Sequence, residues 1–273
     1  METIRILTYN VRGCLGMDSV LSTARIAAAI CDHKPDLIAL QELDVGRARS
    51  AGVDQAREIA ENLRMQQVFF HPALRVMEEE YGDAIITDRP ARLIKAGPLP
   101  GLGWAPKLEP RGAVWASIDL GSAELQVINT HLGLGRAERR QQVGALLGED
   151  WLGSDLCQGP AVLLGDFNSL PRGRIHNRIR RRMRDAYLAA HSRAGPRSTF
   201  PSAFPALRID YVFVTEEIEV VRAEVVASGL TRLASDHLPL LVELRVPPAG
   251  GKVRATIREK VGRRLRAQAR QAA

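Results

Sequence analysis

Val162-Leu163-Leu164-Gly165-Asp166-Phe167-Asn168-Ser169-Leu170-Pro171 passes from an apolar run into a pair of polar side chains and then a proline. Residues 161–164 have the length and the bounding residues of a fully buried strand. Gly165 lets the backbone turn without a Cβ penalty. Asp166 and Asn168 follow, two positions apart. A carboxylate and an amide delivered together at the end of a buried strand suit an active site on a rigid scaffold. The same residue types also build ordinary turns and helix caps, so this stretch alone does not separate the two.

Working outward, the same arrangement recurs. Residues 3–9 alternate polar and apolar as a strand and run into Asn10, and Arg12-Gly13 marks a loop. Residues 20–33 carry apolar side chains at helical spacing, and 36–40 form a second buried strand ending in Gln41-Glu42. A helix over 54–64, a strand near 67–70, a charged loop at 75–81 and strands at 84–87, 92–96, 113–120 and 125–129 follow. Thr130-His131 closes the last of these, and a helix covers 136–149. Beyond the central motif, 173–184 reads as a basic helix burying Ile175, Ile179 and Met183. Irregular, Pro-rich chain spans 192–206, strands occupy 207–214 and 220–227, and Ser235-Asp236-His237 precedes a last strand at 239–246. Strands outnumber helices without a βαβ rhythm, which points to two packed sheets with helices outside.

The chain has 273 residues, 45% hydrophobic and 25% charged, the balance of a globular protein. No apolar run approaches the roughly 18 residues of a membrane span, and the N-terminus has no signal-peptide pattern. Cys14, Cys31 and Cys157 are odd in number and far apart, which argues against disulfides or a zinc cluster and for a reducing, cytoplasmic setting. The net charge of +7 is confined to one place. Residues 252–273 hold eight Lys and Arg against the single acid Glu259, leaving the body neutral. A domain built to grip duplex DNA along its length is more often basic itself.

Asn10, Glu42, His131, Asp166, Asn168, Asp236 and His237 all stand at or one step from a strand end, and Asp210 lies inside one. Each taken singly has an ordinary explanation: a surface acid, a satisfied core histidine, a cap. Together, converging oxygen donors suit a hard cation such as Mg²⁺ with substrate phosphate, and a histidine beside buried carboxylates supplies acid–base chemistry.

Tyr9-Asn10, Gln41-Glu42, Asn129-Thr130-His131, Gly165-Asp166-Phe167-Asn168, Arg208-Ile209-Asp210-Tyr211 and Ser235-Asp236-His237-Leu238-Pro239 stand in an order that resembles the endonuclease/exonuclease/phosphatase superfamily. That group includes pancreatic-type deoxyribonucleases, AP endonucleases, neutral sphingomyelinases, inositol polyphosphate 5-phosphatases and deadenylases. The resemblance spans residues 3–246. It implies an α/β fold, a four-layer sandwich of two mixed β-sheets packed face to face with helices outside, and a metal-dependent phosphoric ester hydrolase. It further implies that Glu42 binds Mg²⁺, or Mn²⁺ in its stead, with Asn10 and Asp236 near the ion. Asp166 would orient or deprotonate the attacking water, and Asn168 would hold that water or the phosphate. His237, set by Asp210, would contact a phosphoryl oxygen, and His131 would protonate the leaving oxygen. Arg111 matches a looser position and would pair with phosphate or form a surface salt bridge.

The substrate is less legible. Asn129-Thr130-His131 lacks the tyrosine of the AP endonuclease motif. The seven arginines between Arg172 and Arg184 would serve an inositol phosphatase or simply form a solvated helix face. The organisation expected is a catalytic domain over 1–246, a Pro/Gly linker at 247–251 and a tail over 252–273. There Val253, Ile257, Val261 and Leu265 recur every four residues among basic side chains, the pattern of a helix drawn to anionic lipid or to nucleic acid. Gly101-Leu102-Gly103-Trp104 offers an apolar loop tip or a buried tryptophan. A phosphodiester near the inner face of a membrane is the favoured substrate, nucleic acid the alternative, and a non-catalytic binding module the competing class.

Overall fold

The computed structural model describes residues 1–105 and 108–249, without the side chain of Val76. The elements, in order, are β1 (Glu2–Asn10), α1 (Thr23–Cys31), β2 (Leu37–Val45), α2 (Gln55–Leu63), β3 (Gln67–Val76), β4 (Glu79–Thr87), β5 (Ala91–Pro98), β6 (Gly112–Asp119), β7 (Glu124–His131), α3 (Arg136–Leu146) and β8 (Ala161–Asp166). Then come α4 (Arg174–Ile179), β9 (Arg184–Asp185), α5 (Ala186–Ala189), β10 (Ser192–Ala194), β11 (Asp210–Val214), β12 (Glu219–Val225), α6 (Gly229–Ala234) and β13 (Leu240–Val246). One sheet has the order β10-β12-β13-β1-β2-β4-β3 and the other β5-β6-β7-β8-β11-β9.

Strand alternation builds the layers. Ile4 and Ile6 of β1 meet Val162 and Leu164 of β8 and Val212 and Val214 of β11 between the sheets. Leu7 and Tyr9 point the other way, under Ile26 and Ile30 of α1 and Ile59 of α2. Leu163, on the opposite face of β8, packs under Val143 and Leu146 of α3 and Ile179 of α4. Both faces of β8 are therefore covered, which is why its sequence is apolar without alternation. The result is the expected four-layer sandwich.

Topology then gathers one edge. β1 runs parallel to β2 with Asn10 beside Gln41, and β7 runs parallel to β8 with His131 beside Asp166. β11 runs antiparallel to β8, which sets its first residue, Asp210, against Asp166. β13 returns antiparallel to β1, so the turn before it carries Asp236-His237 back to the same end. Gln41 and Asn129 fasten the sheets to each other there. The Gln41 amide donates to Asn129 Oδ1 at 2.7 Å, and the Asn129 amide donates to the Leu40 and Ala84 carbonyls.

Several local expectations are corrected. Residues 75–81 are a hairpin joining β3 to β4, because Arg75↔Glu80 and Leu74↔Tyr81 pairing carries the ladder past the charged side chains. The basic helix stops at Ile179. Arg182 and Arg184 bend to the carbonyls of Leu147 and Ile218, although Ile175, Ile179 and Met183 are buried as expected. Residues 192–194 form a short edge strand, the strand expected from 207 begins at Asp210, and α6, not anticipated, is capped by Ser228 through the Thr231 N–H. Trp104 is exposed. The tail over 252–273 lies outside the described residues. No helix among those described is long and apolar enough to cross a membrane.

Candidate active site

A bulge places the first functional residue. Between Leu40 and Leu43 the β2–β4 register shifts, and Glu42 takes φ +63° there. A non-glycine side chain held in the left-handed region within a strand is strained, a conformation that persists where the surrounding structure fixes it. Asp83 sits across the bulge facing the Glu42 backbone N–H. Asn168 is likewise left-handed, at φ +46°. At Gly165, φ is +131° and a Cβ would come within 1.9 Å of the Thr130 carbonyl oxygen, so only glycine lets β8 run this close to β7.

Side chains from both sheets meet above these strand ends in a cleft of about 770 Å³. Asn10 donates from Nδ2 to Glu42 Oε1 at 2.9 Å and to Asp166 Oδ2 at 3.1 Å, clamping the two carboxylates together. Its Oδ1 accepts the Arg12 backbone N–H. Asn10 thus stands between the two carboxylates with its amide nitrogen, not its oxygen, toward them. Asp166 Oδ1 accepts the Asn168 N–H at 2.8 Å. Asp236 lines the cleft with Oδ2 at 3.7 Å from Arg12 Nε.

The two histidines are held in opposite charge states. His237 Nδ1 donates to Asp210 at 2.9 Å, Phe200 packs on its ring, and Nε2 points to Asp166 Oδ2 at 3.7 Å. Burial alone would lower the His237 pKa, but Asp210, Asp166 and Asp236 outweigh it and lift it to about 10. Asp210 is itself steadied by the Thr199 hydroxyl. His131 has Arg111 Nη1 at 3.1 Å from Nδ1 and Asn168 Nδ2 at 3.1 Å from Nε2. Nε2 also faces Asp166 Oδ2 at 3.5 Å, and burial with the Arg111 cation and His237 pushes this imidazole well below its ordinary value. A neutral ring is poorly suited to protonating a leaving oxygen, the role first expected of it. Burial, and then the neighbouring Asp210, raise the Asp166 carboxyl.

Every expected residue therefore reaches this edge. Arg111 is buried, bonded to His131 and Glu109, and not a surface salt bridge. The arginines of 172–184 do not line the cleft. Its arginines are Arg12, Arg49 and Arg111, and Arg49 is fixed by two bonds of 2.8 Å to the buried Asp44. Arg12, Arg49 and Asp83 were missed. Arg12 and Arg49 sit in loops without a motif, and Asp83 is recognisable only once the strand over 84–87 is extended back to Glu79.

Residues 7–237 match the model of the endonuclease/exonuclease/phosphatase family. The chain belongs to that family. Members of the endonuclease/exonuclease/phosphatase family are metal-dependent hydrolases acting on phosphoester bonds. The chain is 31% identical over 142 residues to the uncharacterized protein YbhP of Escherichia coli K12, half of this chain and 54% of YbhP, so it spans about half the length of the curated relatives it matches. An endonuclease/exonuclease/phosphatase structure from Bacteroides vulgatus superposes with a TM-score of 0.74 at 23% identity, covering 90% of this chain and all of that one. The mannosyl-6-phosphatase Bt3783 of Bacteroides thetaiotaomicron superposes with a TM-score of 0.73 at 22% identity, covering 89% of this chain and 99% of that one. At these identities the structures share the fold of the family, not a substrate.

Proposed function

We propose that the chain is a Mg²⁺-dependent phosphodiesterase in which water attacks phosphorus in line with the departing alcohol. The observation that carries this is the meeting of Glu42, Asp166, His237, His131 and Asn168 in one cleft, with Asp210 buried behind His237. The donor set fits a hard divalent cation: Asn10 holds Glu42 and Asp166 carboxylate oxygens together, the ligand atoms of Asp166, Asp210 and His237 lie within 4.8 Å of one another, and Asp236 lines the same cleft. Glu42 would hold the ion, with Asp236 and Asn10 alongside. Bound there, it would withdraw charge from the phosphoryl oxygens and acidify water.

The chain's own residues divide the remaining work. Asp166 accepts the proton of the attacking water, its orientation set by Asn10 and the Asn168 N–H. His237, kept as an imidazolium by Asp210, places a charged N–H donor on a phosphoryl oxygen as charge builds in the transition state. His131, held neutral, joins Arg111 and Asn168 into one wall for the other oxygens, and the departing alkoxide takes its proton from water. Asn168 thus serves phosphate binding, as does Arg111.

A substrate panel at fixed Mg²⁺, with Asp166→Asn as the blank, tests this reading. Bis-p-nitrophenyl phosphate and a lysophospholipid should be cleaved by the parent and not by the blank. Turnover confined to p-nitrophenyl phosphate would replace the diesterase by a phosphomonoesterase, and turnover confined to plasmid DNA would make it a nuclease.

A further inference from the structure

Exposed large apolar side chains are gathered at one end of this molecule. Among the described residues, all of them except Met1, Leu93, Leu156 and Leu188 stand at the cleft edge, Leu230 and Leu233 on α6 and the rest on connections. The connections that supply the site carry them. Leu134 follows His131 and is 73% exposed, and Leu170 follows Asn168. Phe204 tips the hairpin closed by the Phe200↔Leu207 bridge and is 83% exposed, while Phe200 packs on His237. Met77, at the β3–β4 turn, is 84% exposed, and Trp104, before Arg111, is 78% exposed.

Single exposed apolar side chains need no explanation, but a ring of them around a cleft does. A small soluble ester needs no apolar surface beyond the cleft walls. A nucleic-acid surface would place Lys and Arg where these leucines and aromatics stand. A bilayer matches both parts: apolar tips enter the acyl boundary, and the cleft among them, where Arg12, Arg49 and Arg111 stand beside Asp236, Asp44 and Glu109, faces the head groups. The chain leaves β13 at Val246, beside Glu2 and at the far end of β1 from Asn10, so the described domain builds this surface without the tail.

We infer that the cleft edge docks on a lipid bilayer and takes its phosphodiester from a phospholipid head group in that surface. The chemistry rests on the phosphodiesterase reading; the docking does not. Water adds to phosphorus, one P–O ester bond breaks, and a phosphomonoester and an alcohol are released.

The test compares the full chain with Met77→Ser/Phe204→Ser, neither residue lining the cleft. Both are measured for co-sedimentation with phosphatidylcholine–phosphatidylglycerol vesicles, for ester cleavage in those vesicles, and for turnover of soluble bis-p-nitrophenyl phosphate with Mg²⁺. Loss of two inserted apolar side chains should weaken vesicle affinity about tenfold or more, lower vesicle cleavage with it, and leave the soluble rate unchanged. Equal sedimentation of the two proteins, or none by either, overturns the docking even if the soluble diester is cleaved. A sedimentation difference without soluble turnover retains the docking and removes the phosphodiesterase. Cleavage of plasmid DNA by a protein that ignores vesicles would assign the edge to nucleic acid and overturn the inference.

Discussion

Replacing Asp210 by Asn should move the alkaline limit of activity, because Asp210 is what keeps His237 charged. The His237 ring is almost wholly buried, and burial opposes its protonation. Its lift from 6.5 to about 10 is a preference for the imidazolium of about 5 kcal/mol. Asp210 is the largest favourable cause, in direct contact at 2.9 Å, with Asp166 and Asp236 behind it. If it supplies roughly half, Asn at 210 lowers the pKa by about two units, and the alkaline limb falls from near 10 to near 8. A further loss of at least ~10²-fold at every pH should follow from the disoriented donor. The assay is the initial rate on bis-p-nitrophenyl phosphate at saturating Mg²⁺ from pH 5.5 to 9.5. Bound metal shifts both profiles the same way, so the difference between the proteins is what is read. A variant whose pH profile superimposes on the parent's would refute the role given to the Asp210–His237 pair.

Three further outcomes follow from the same geometry. Glu42→Gln should lose most activity and recover part of it at high Mg²⁺, with thermal stability nearly unchanged, since the side chain leaves the β2 bulge toward the cleft and takes no part in the core; wild-type activity across a magnesium titration would remove Glu42 from the metal site. In EDTA, Asp83→Asn should flatten the pH dependence of the melting temperature. Burial lifts the Asp83 carboxyl from 3.8 to about 8, so the folded state holds that proton more tightly, and stability should be greatest at acid pH and decline as pH rises towards 8; an unchanged slope would contradict this. Ending the chain at residue 249 should leave the rate on a soluble diester intact, because the chain passes Val246 at the end of the sheet remote from Asn10; a large loss would show that the tail takes part in the site.

The parts of the site that the sequence displays are those written as strand ends. Asn10, Glu42, His131 and Asp166 are recognisable because an apolar run stops at each of them, and parallel pairing then forces the ends together, while Asp210 is recognisable as a carboxylate inside such a run. His237 is recognisable because it sits just ahead of such a run. What is not displayed depends on contacts between distant segments. Asp83 looks like a surface acid until the β3–β4 hairpin extends past the charged residues 78–80. Arg49 has no motif, and only the buried Asp44 turns it into a fixed cation on the cleft wall. The charge states of the histidines are also invisible, since they depend on Arg111 lying against one ring and Asp210 against the other. The Arg172–Arg184 run shows the converse: a strong compositional signal in which Arg178, Arg182 and Arg184 turn to the carbonyls of Arg140, Leu147 and Ile218, and none of the seven lines the cleft.

The central claim is that these residues form a metal-dependent phosphodiesterase, and one rate measurement bears on it most directly. Purified chain is assayed on bis-p-nitrophenyl phosphate with Mg²⁺, after EDTA, and after Mg²⁺ is restored, beside Asp166→Asn. Turnover should be abolished by EDTA, return with added Mg²⁺, and be absent from Asp166→Asn throughout. Turnover that survives EDTA, or that Asp166→Asn retains, would contradict it.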